Sequence, residues 1–404
     1  MRVLMLSWEY PPHIVGGLGK HVADLLPALA RCTATADDGI VVHLLTPTEH
    51  GDPGIERNGN VTVHRIASYT DAADAFLDRV DATNATLCHA AESVIAQEEP
   101  FDLIHNHDWL TAPAAWELKH AFKLPLVGTI HATERGRGRG HLYDEQSHRI
   151  DAIEWRLNYE SWRVICCANY MAGEVHDYFG TPLDKVDVIP NGVDPTPFLA
   201  LEGQDLSALR ARYARPDDRI VFFVGRLVHE KGVDTLVRAA PAVLAGVPQA
   251  RFIIAGRGPE MPYLQGLVHE LGLGDRVQLA GFVSDEDRNR LLRLADCAVF
   301  PSLYEPFGIV ALEAMAAHCP VVVSEVGGLR EVVRHAETGI TIYPGNVDSC
   351  AWGIRHTLEH PDWARQRADN AFRDVLTIFS WDTIAAQTAR VYQRVVHERT
   401  ATLW

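Results

Sequence analysis

Ile220-Val221-Phe222-Phe223-Val224-Gly225-Arg226-Leu227-Val228-His229-Glu230-Lys231-Gly232 sets the frame for the whole chain. Its first five residues are apolar without alternation, which suits a strand buried on both faces, and a glycine and two cations follow. Open α/β sheets bind ligands at the carboxyl ends of such strands. Arg226 would act there as a planar fork and Lys231 as a point charge, together fitted to a diphosphate. A solvated loop with a Lys–Glu pair is the plainer alternative; the strand-end position favours a ligand.

The same grammar extends in both directions. Val3–Ser7, Val41–Thr46, Val61–Ile66, Leu103–His107, Leu126–His131, Val164–Ala168 and Val186–Ile189 read as strands of a first half. Ile220–Gly225, Phe252–Ala255, Val277–Ala280, Cys297–Pro301, Val321–Ser324 and Gly339–Tyr343 read as strands of a second. Helix-like stretches between them imply parallel sheets joined by right-handed crossovers. At 404 residues the chain exceeds what one hydrophobic core organises. The expected class is therefore α/β, with two doubly wound domains. Pro190, Pro195, Pro197 and Pro216, with Gly203-Gln204-Asp205, mark the break between them. The expected domains are 1–200 and 201–381. Beyond Tyr343 the chain reads as helical, and a last helix, about 382–404, could cross back to the first domain.

Apolar residues make up 47 % and charged residues 22 %, as in a soluble globular enzyme. A net charge of −16 argues against a general nucleic-acid binder, because phosphate backbones attract Lys and Arg. A small anionic ligand needs only a few local cations. The apolar run Met1–Leu6 is too short for a signal peptide, and no later run is long enough to span a bilayer. Seven cysteines are scattered without a Cys-x-x-Cys pair, which favours free thiols in a reducing compartment. The expected location is cytoplasmic.

Three further groups carry candidate chemistry. Gly16-Gly17-Leu18-Gly19 follows the first strand, where glycines let a backbone approach a ligand and a new helix aims free N–H groups at an anion. It is not a dinucleotide fingerprint, because His21 and Val22 occupy the place of the last glycine. A turn that merely closes a strand–helix connection explains it equally well. Glu305-Pro306-Phe307-Gly308-Ile309-Val310-Ala311-Leu312-Glu313 reads as a helix starting at Pro306, with Glu305 just before it and Glu313 over two turns inside. A carboxylate in an apolar helix is costly unless something bonds it. Ligand hydroxyls would do so; so would a pairing Lys or Arg, the commoner fate. His131-Ala132-Thr133-Glu134 and His105-Asn106-His107-Asp108 close two strands of the first half. His105-x-His107 invites a metal reading, but a metallohydrolase run would need Asp at 109 and His at 110, where Trp109 and Leu110 stand. No metal is expected. Arg135-Gly136-Arg137-Gly138-Arg139-Gly140 reads as a mobile basic loop.

Taken in order, these pieces resemble the family-4 type of GT-B glycosyltransferases, similar also to bacterial glycogen and starch synthases. The resemblance spans Gly16-Gly17-Leu18, His107-Asp108-Trp109, His131, Pro190-Asn191-Gly192-Val193-Asp194, Gly225-Arg226, Lys231-Gly232, Gly256-x-Gly258-Pro259-Glu260, Glu305–Glu313 and Gly327-Gly328-Leu329. It implies the GT-B fold, two Rossmann-like domains facing across a cleft, and a retaining transfer. The implied reaction moves a hexose, glucose first, from a UDP- or ADP-linked sugar to a carbohydrate acceptor, α-glucans included, with no cofactor beyond that donor. It implies that Arg226 and Lys231 hold the diphosphate and that Glu313 bonds the ribose. Glu305, with the amides of Phe307, Gly308 and Ile309, would hold donor-sugar hydroxyls, and His131 would bond the sugar near the reacting carbon. Gly16 and Gly17 would face the leaving phosphate, Gly258 would line the donor, and Asp108 would lie on the acceptor side. The synthases carry a Lys two residues before Gly-Gly-Leu; Ile14 stands here, so that phosphate contact is either missing or supplied from elsewhere, Lys20 being one source, a departure that counts against a polymerising glucan synthase. A nucleotide-sugar epimerase, a sugar phosphorylase and a non-catalytic sugar binder are the competing classes. A pyridoxal-dependent phosphorylase lacks an identifiable Schiff-base Lys, and a mere binder would not need Arg226, Lys231 and both glutamates. No nucleic acid and no stable membrane insertion are expected.

Overall fold

A computed structural model describes residues 1–14, 16–32, 39–48, 53–68 and 75–402. The chain forms two compact units: Met1–Gly192 with Trp381–Trp404, and Val193–Ser380. The chain changes unit at 192/193 rather than at 200. The Val193 amide donates to Phe379 O at 2.9 Å, and Phe198 is buried in the second unit, so the segment after Gly192 already belongs there.

The first unit holds strands β1 (Arg2–Leu6), β2 (Val41–Thr48), β3 (Gly54–Asn58), β4 (Val61–Ala67), β5 (Leu103–His107), β6 (Leu126–Ile130), β7 (Arg163–Cys166) and β8 (Val186–Val188). They lie in the order β3-β4-β2-β1-β5-β6-β7-β8. All neighbours are parallel except β3, which runs antiparallel to β4 from Gly54↔Arg65 to Asn58↔Val61. β3 was not expected: every one of its residues is exposed, so it carries no apolar periodicity. The helices Gly17–Arg31 and Trp381–Thr400 share one core with this sheet, built from Val3, Met5, Leu25, Leu29, Ile384 and Tyr392.

The second unit holds β9 (Arg219–Val224), β10 (Ala250–Ala255), β11 (Val277–Gly281), β12 (Cys297–Phe300), β13 (Val321–Ser324) and β14 (Ile340–Ile342), all parallel, in the order β11-β10-β9-β12-β13-β14. Phe222, Phe223, Phe252 and Phe300 are buried at its centre.

The strand order reverses between β1 and β5 in the first sheet, and between β9 and β12 in the second. At such switch points successive connections leave to opposite faces and open a crevice at the carboxyl ends of the strands. The Gly16-Gly17 turn follows β1 and His107-Asp108 closes β5. Arg226 and Lys231 follow β9, and Glu305 follows β12. The topology therefore delivers the sequence candidates to one crevice in each unit. Among the described residues, no helix is long and apolar enough to cross a membrane.

Candidate active site

In the second unit Gly225 leaves β9 with its amide bonded to Ala255 O, and buried Leu227 donates to Arg257 O at 2.8 Å. This anchoring turns the Arg226 side chain outward. It is 55 % exposed, with Glu230 Oε1 3.4 Å from Nη2. Lys231 ends the single turn His229–Lys231, and its Nζ donates to Glu305 Oε2 at 2.7 Å; the Ser302 hydroxyl donates to the same oxygen at 3.3 Å. Glycines allow the close packing beneath. Gly256 holds φ 145, and a Cβ there would sit 1.8 Å from Gly225 O. Gly258 packs its α-carbon on the Leu227 peptide. A methyl group at Gly258 would lie 2.1 Å from Leu227 O, a backbone atom that cannot rotate away. Gly258→Ala is expected to destabilise the second unit by about 2–3 kcal/mol, a fall of about 5–10 °C in its melting temperature. Calorimetry checks this, and an unchanged transition would show that the loop carrying Arg226 is not tightly seated.

The helix after β12 begins later than expected. It spans Ile309–Ala316, with Gly308 at its N-cap in a left-handed conformation, φ 110. Pro306 therefore belongs to the preceding turn, and Glu313 lies just over one turn inside rather than two. Only glycine fits at 308, since a Cβ would also meet Leu329 at 2.5 Å. The result puts the first turn of that helix beside buried Glu305 and Phe307, with the Ala311 amide already bonded to Gly308 O. Glu313 is 2 % exposed, and Arg288 Nη2 lies 3.4 Å from its Oε1. The buried carboxylate thus has a cation beside it, the ordinary outcome for a helical Glu.

The first unit gathers histidines. His131 follows β6, and its amide donates to Asp108 Oδ1 at 2.7 Å. Asp108 sits at φ 59, buried, and burial pushes its carboxyl up to about 6 against the pull of the His131 and Ala132 amides. Its carboxylate therefore fixes the His131 loop. His107 Nδ1 and His131 Nε2 are 3.1 Å apart. His21 joins them from the helix Gly17–Arg31, its ring centroid 4.8 Å from that of His131, and its Nδ1 lies 2.6 Å from Asn191 Oδ1. His105 lies behind, with its ring nitrogens 2.6 Å from the Tyr392 hydroxyl and 2.7 Å from Thr129 Oγ1. Burial holds these rings neutral: His21 and His131 are pushed down to about 3, and His105 and His107 well below the usual range. The sequence reading missed His21 and Asn191. The available signal was that His21 stands one helical turn after Gly17, on the same helix face.

The Gly16-Gly17 turn lies at the start of that helix, and the Gly16 amide donates to Glu9 Oε2 at 3.0 Å. Lys20 is drawn to Asp24 along its own helix, at 3.3 Å. The Arg/Gly segment is not a mobile loop. Glu134–Arg137 form a helical turn capped by Thr133, and Arg135 makes a bidentate pair with Asp151 at 2.7 and 2.9 Å. Gly138 lets the chain turn closely there, since a Cβ would lie 2.0 Å from His141 O.

Residues 15–196 match the family described as Glycosyltransferase Family 4, and residues 207–374 match Glycosyl transferases group 1. An uncharacterised glycosyltransferase of Methanocaldococcus jannaschii is 39 % identical over 401 residues, 97 % of this chain and 98 % of that protein. The glycogen synthase of Mycobacterium tuberculosis is 34 % identical over 406 residues, 97 % and 94 % of the two chains. Among solved structures, sucrose-phosphate synthase from Thermosynechococcus elongatus superposes with a TM-score of 0.82 at 27 % identity, covering 98 % of this chain and 99 % of that one. Anabaena HepE in complex with UDP-glucose gives 0.74 at 22 % identity, over 98 % and 100 %, a likeness of fold.

Proposed function

The chain belongs to the family-4 glycosyltransferases, and from that premise we propose that it moves glucose, with retention, from a UDP- or ADP-linked donor to a carbohydrate acceptor of the α-glucan class. One observation carries the donor side: at the β9/β12 switch point an outward-facing guanidinium stands near a Lys231–Glu305 pair and the start of a helix. Cations and free amides in such a crevice fit a pyrophosphate. The glucosyl group and the glucan acceptor draw support from the glycogen synthase relative, and the uridine nucleotide from the UDP-glucose held by HepE.

Breaking a glycosyl–phosphate bond leaves an oxocarbenium-like sugar and an anionic nucleotide. Stabilising the charge that grows on the leaving group lowers the barrier most. Arg226 and Lys231 serve that role without a metal. Glu305 and the amides following it hold donor-sugar hydroxyls, and neutral His131 can both accept and donate beside the reacting carbon. Glu313 accepts from the ribose hydroxyls while Arg288 offsets its charge. Attack on the face the phosphate leaves lets a phosphate oxygen take the acceptor proton and retains configuration. Asp108, spent on the His131 amide, acts as a positioning residue.

The test offers UDP-glucose and ADP-glucose singly with maltooligosaccharides and short glycogen chains. Nucleotide release is scored against product mass, and the new linkage is read by NMR. An α-linked glucosyl extension is expected. Nucleotide release that needs no acceptor would sink the transfer reading, and a β-linkage would sink retention.

A further inference from the structure

His21, His107 and His131 come from three elements of one unit, the helix after β1, the end of β5 and the loop after β6. We propose that these three histidines form a binding site for a single divalent transition-metal ion of the zinc class, and that its occupation withdraws His131 from the donor sugar. The second clause rests on the role given to His131 above; the first does not.

One nitrogen from each ring lies within 4.8 Å of the others. Zinc at 2.0–2.1 Å from tetrahedral imidazoles sets its ligand nitrogens about 3.3 Å apart. The His107–His131 pair already stands at 3.1 Å, so only His21 must close in. Asn191 Oδ1 can only accept, so His21 Nδ1 carries the hydrogen and Nε2 is left with its lone pair. That is how an outer partner prepares a metal-binding imidazole. The His131 backbone is pinned by Asp108, His107 is fully buried, and the metal would displace the proton that His107 Nδ1 and His131 Nε2 now share. His105 is excluded as a fourth ligand because both its nitrogens are engaged. The fourth position therefore stays open, as it does at exchangeable rather than closed sites. Three imidazoles without a carboxylate among them select zinc, copper or nickel over magnesium or calcium.

The test uses the full chain, stripped by a chelator and free of donor, with Zn²⁺ titrated against a chromogenic chelator. One zinc per chain is expected, weakened at least tenfold by His107→Gln and by His21→Gln. Replacing both His356 and His360 by Gln is expected to change nothing. Those rings lie 4.9 Å apart in the second unit and are the obvious surface competitor. No bound zinc, or zinc lost only with the surface pair, overturns the site. Cobalt on the unaltered chain guards against misfolded variants: a tetrahedral visible spectrum supports the site and a six-coordinate one overturns it. With donor and acceptor added, turnover should fall in step with zinc occupancy and return with EDTA. Zinc that binds at the three histidines without slowing turnover overturns the second clause and the sugar contact of His131, and leaves the metal site standing.

Discussion

Replacing Arg226 with alanine is expected to leave thermal unfolding unchanged and to cut donor turnover by about 10²–10³-fold, the range seen when one fixed donor to a developing anion is removed. The side chain is 55 % exposed, and its contact with Glu230, four residues on, is a surface pair worth well under about 1 kcal/mol. Nothing in the fold needs it. Lys231 differs. Its Nζ is 2.7 Å from Glu305, and both side chains are largely buried, at 21 % and 10 % exposure. Lys231→Ala takes the cation from a buried carboxylate, so it should lose stability by a few kcal/mol as well as turnover. Steady-state kinetics beside calorimetry separates the two. Unchanged turnover in Arg226→Ala would remove it from the diphosphate and leave the donor site without its outward cation.

Acid should unfold the first unit before the second. His21, His105, His107 and His131 are held neutral in the fold, far below the ordinary imidazole value near 6.5. Below that value the unfolded chain binds protons that the folded chain refuses, so stability present at neutral pH is lost as pH falls. His43 and His64, also lowered, act in the same direction despite the nearby Glu98. Asp108, raised to about 6, and Glu154, raised well above its usual range, act in the opposite direction, because the fold protonates them first. Six lowered imidazoles outweigh two raised carboxyls, so unfolding takes up protons near pH 5 and stability falls as pH falls through that range. In the second unit burial lowers His356, which is half-buried and belongs to no such buried cluster among the described residues. Calorimetry from pH 7 to 5 in chelator should show the first-unit transition fall away from the second. Two transitions that move together would mean the histidine cluster is solvated.

Much of the fold was legible because buried parallel strands are written as unbroken Val, Ile and Leu runs. β5 and β13 span the residues expected, Leu103–His107 and Val321–Ser324. β3 was illegible for the opposite reason, since Gly54–Asn58 pairs only through its backbone at an exposed edge. The Gly308 N-cap was hidden by Pro306, which is equally suited to a first helical turn. Strand ends announced His131, Arg226 and Lys231. His21 carried only its one-turn spacing from Gly17; the parallel pairing of β1 with β5, which no local pattern shows, brings it to His107. The arginine–glycine stretch misled because composition suggests mobility, while the partner that holds it, Asp151, lies on a helix 16 residues away.

The helix Trp381–Thr400 gives the molecule an unusual assembly schedule. The second unit is one continuous stretch, whereas the first is interrupted by it. A ribosome adding about 5–20 residues per second needs roughly ten to forty seconds to pass from Gly192 to Trp381. For that interval the seat of Tyr392, between His105 and the helix Gly17–Arg31, stays open to water, and the nascent first unit is a candidate client for chaperones while its later-born neighbour is already complete.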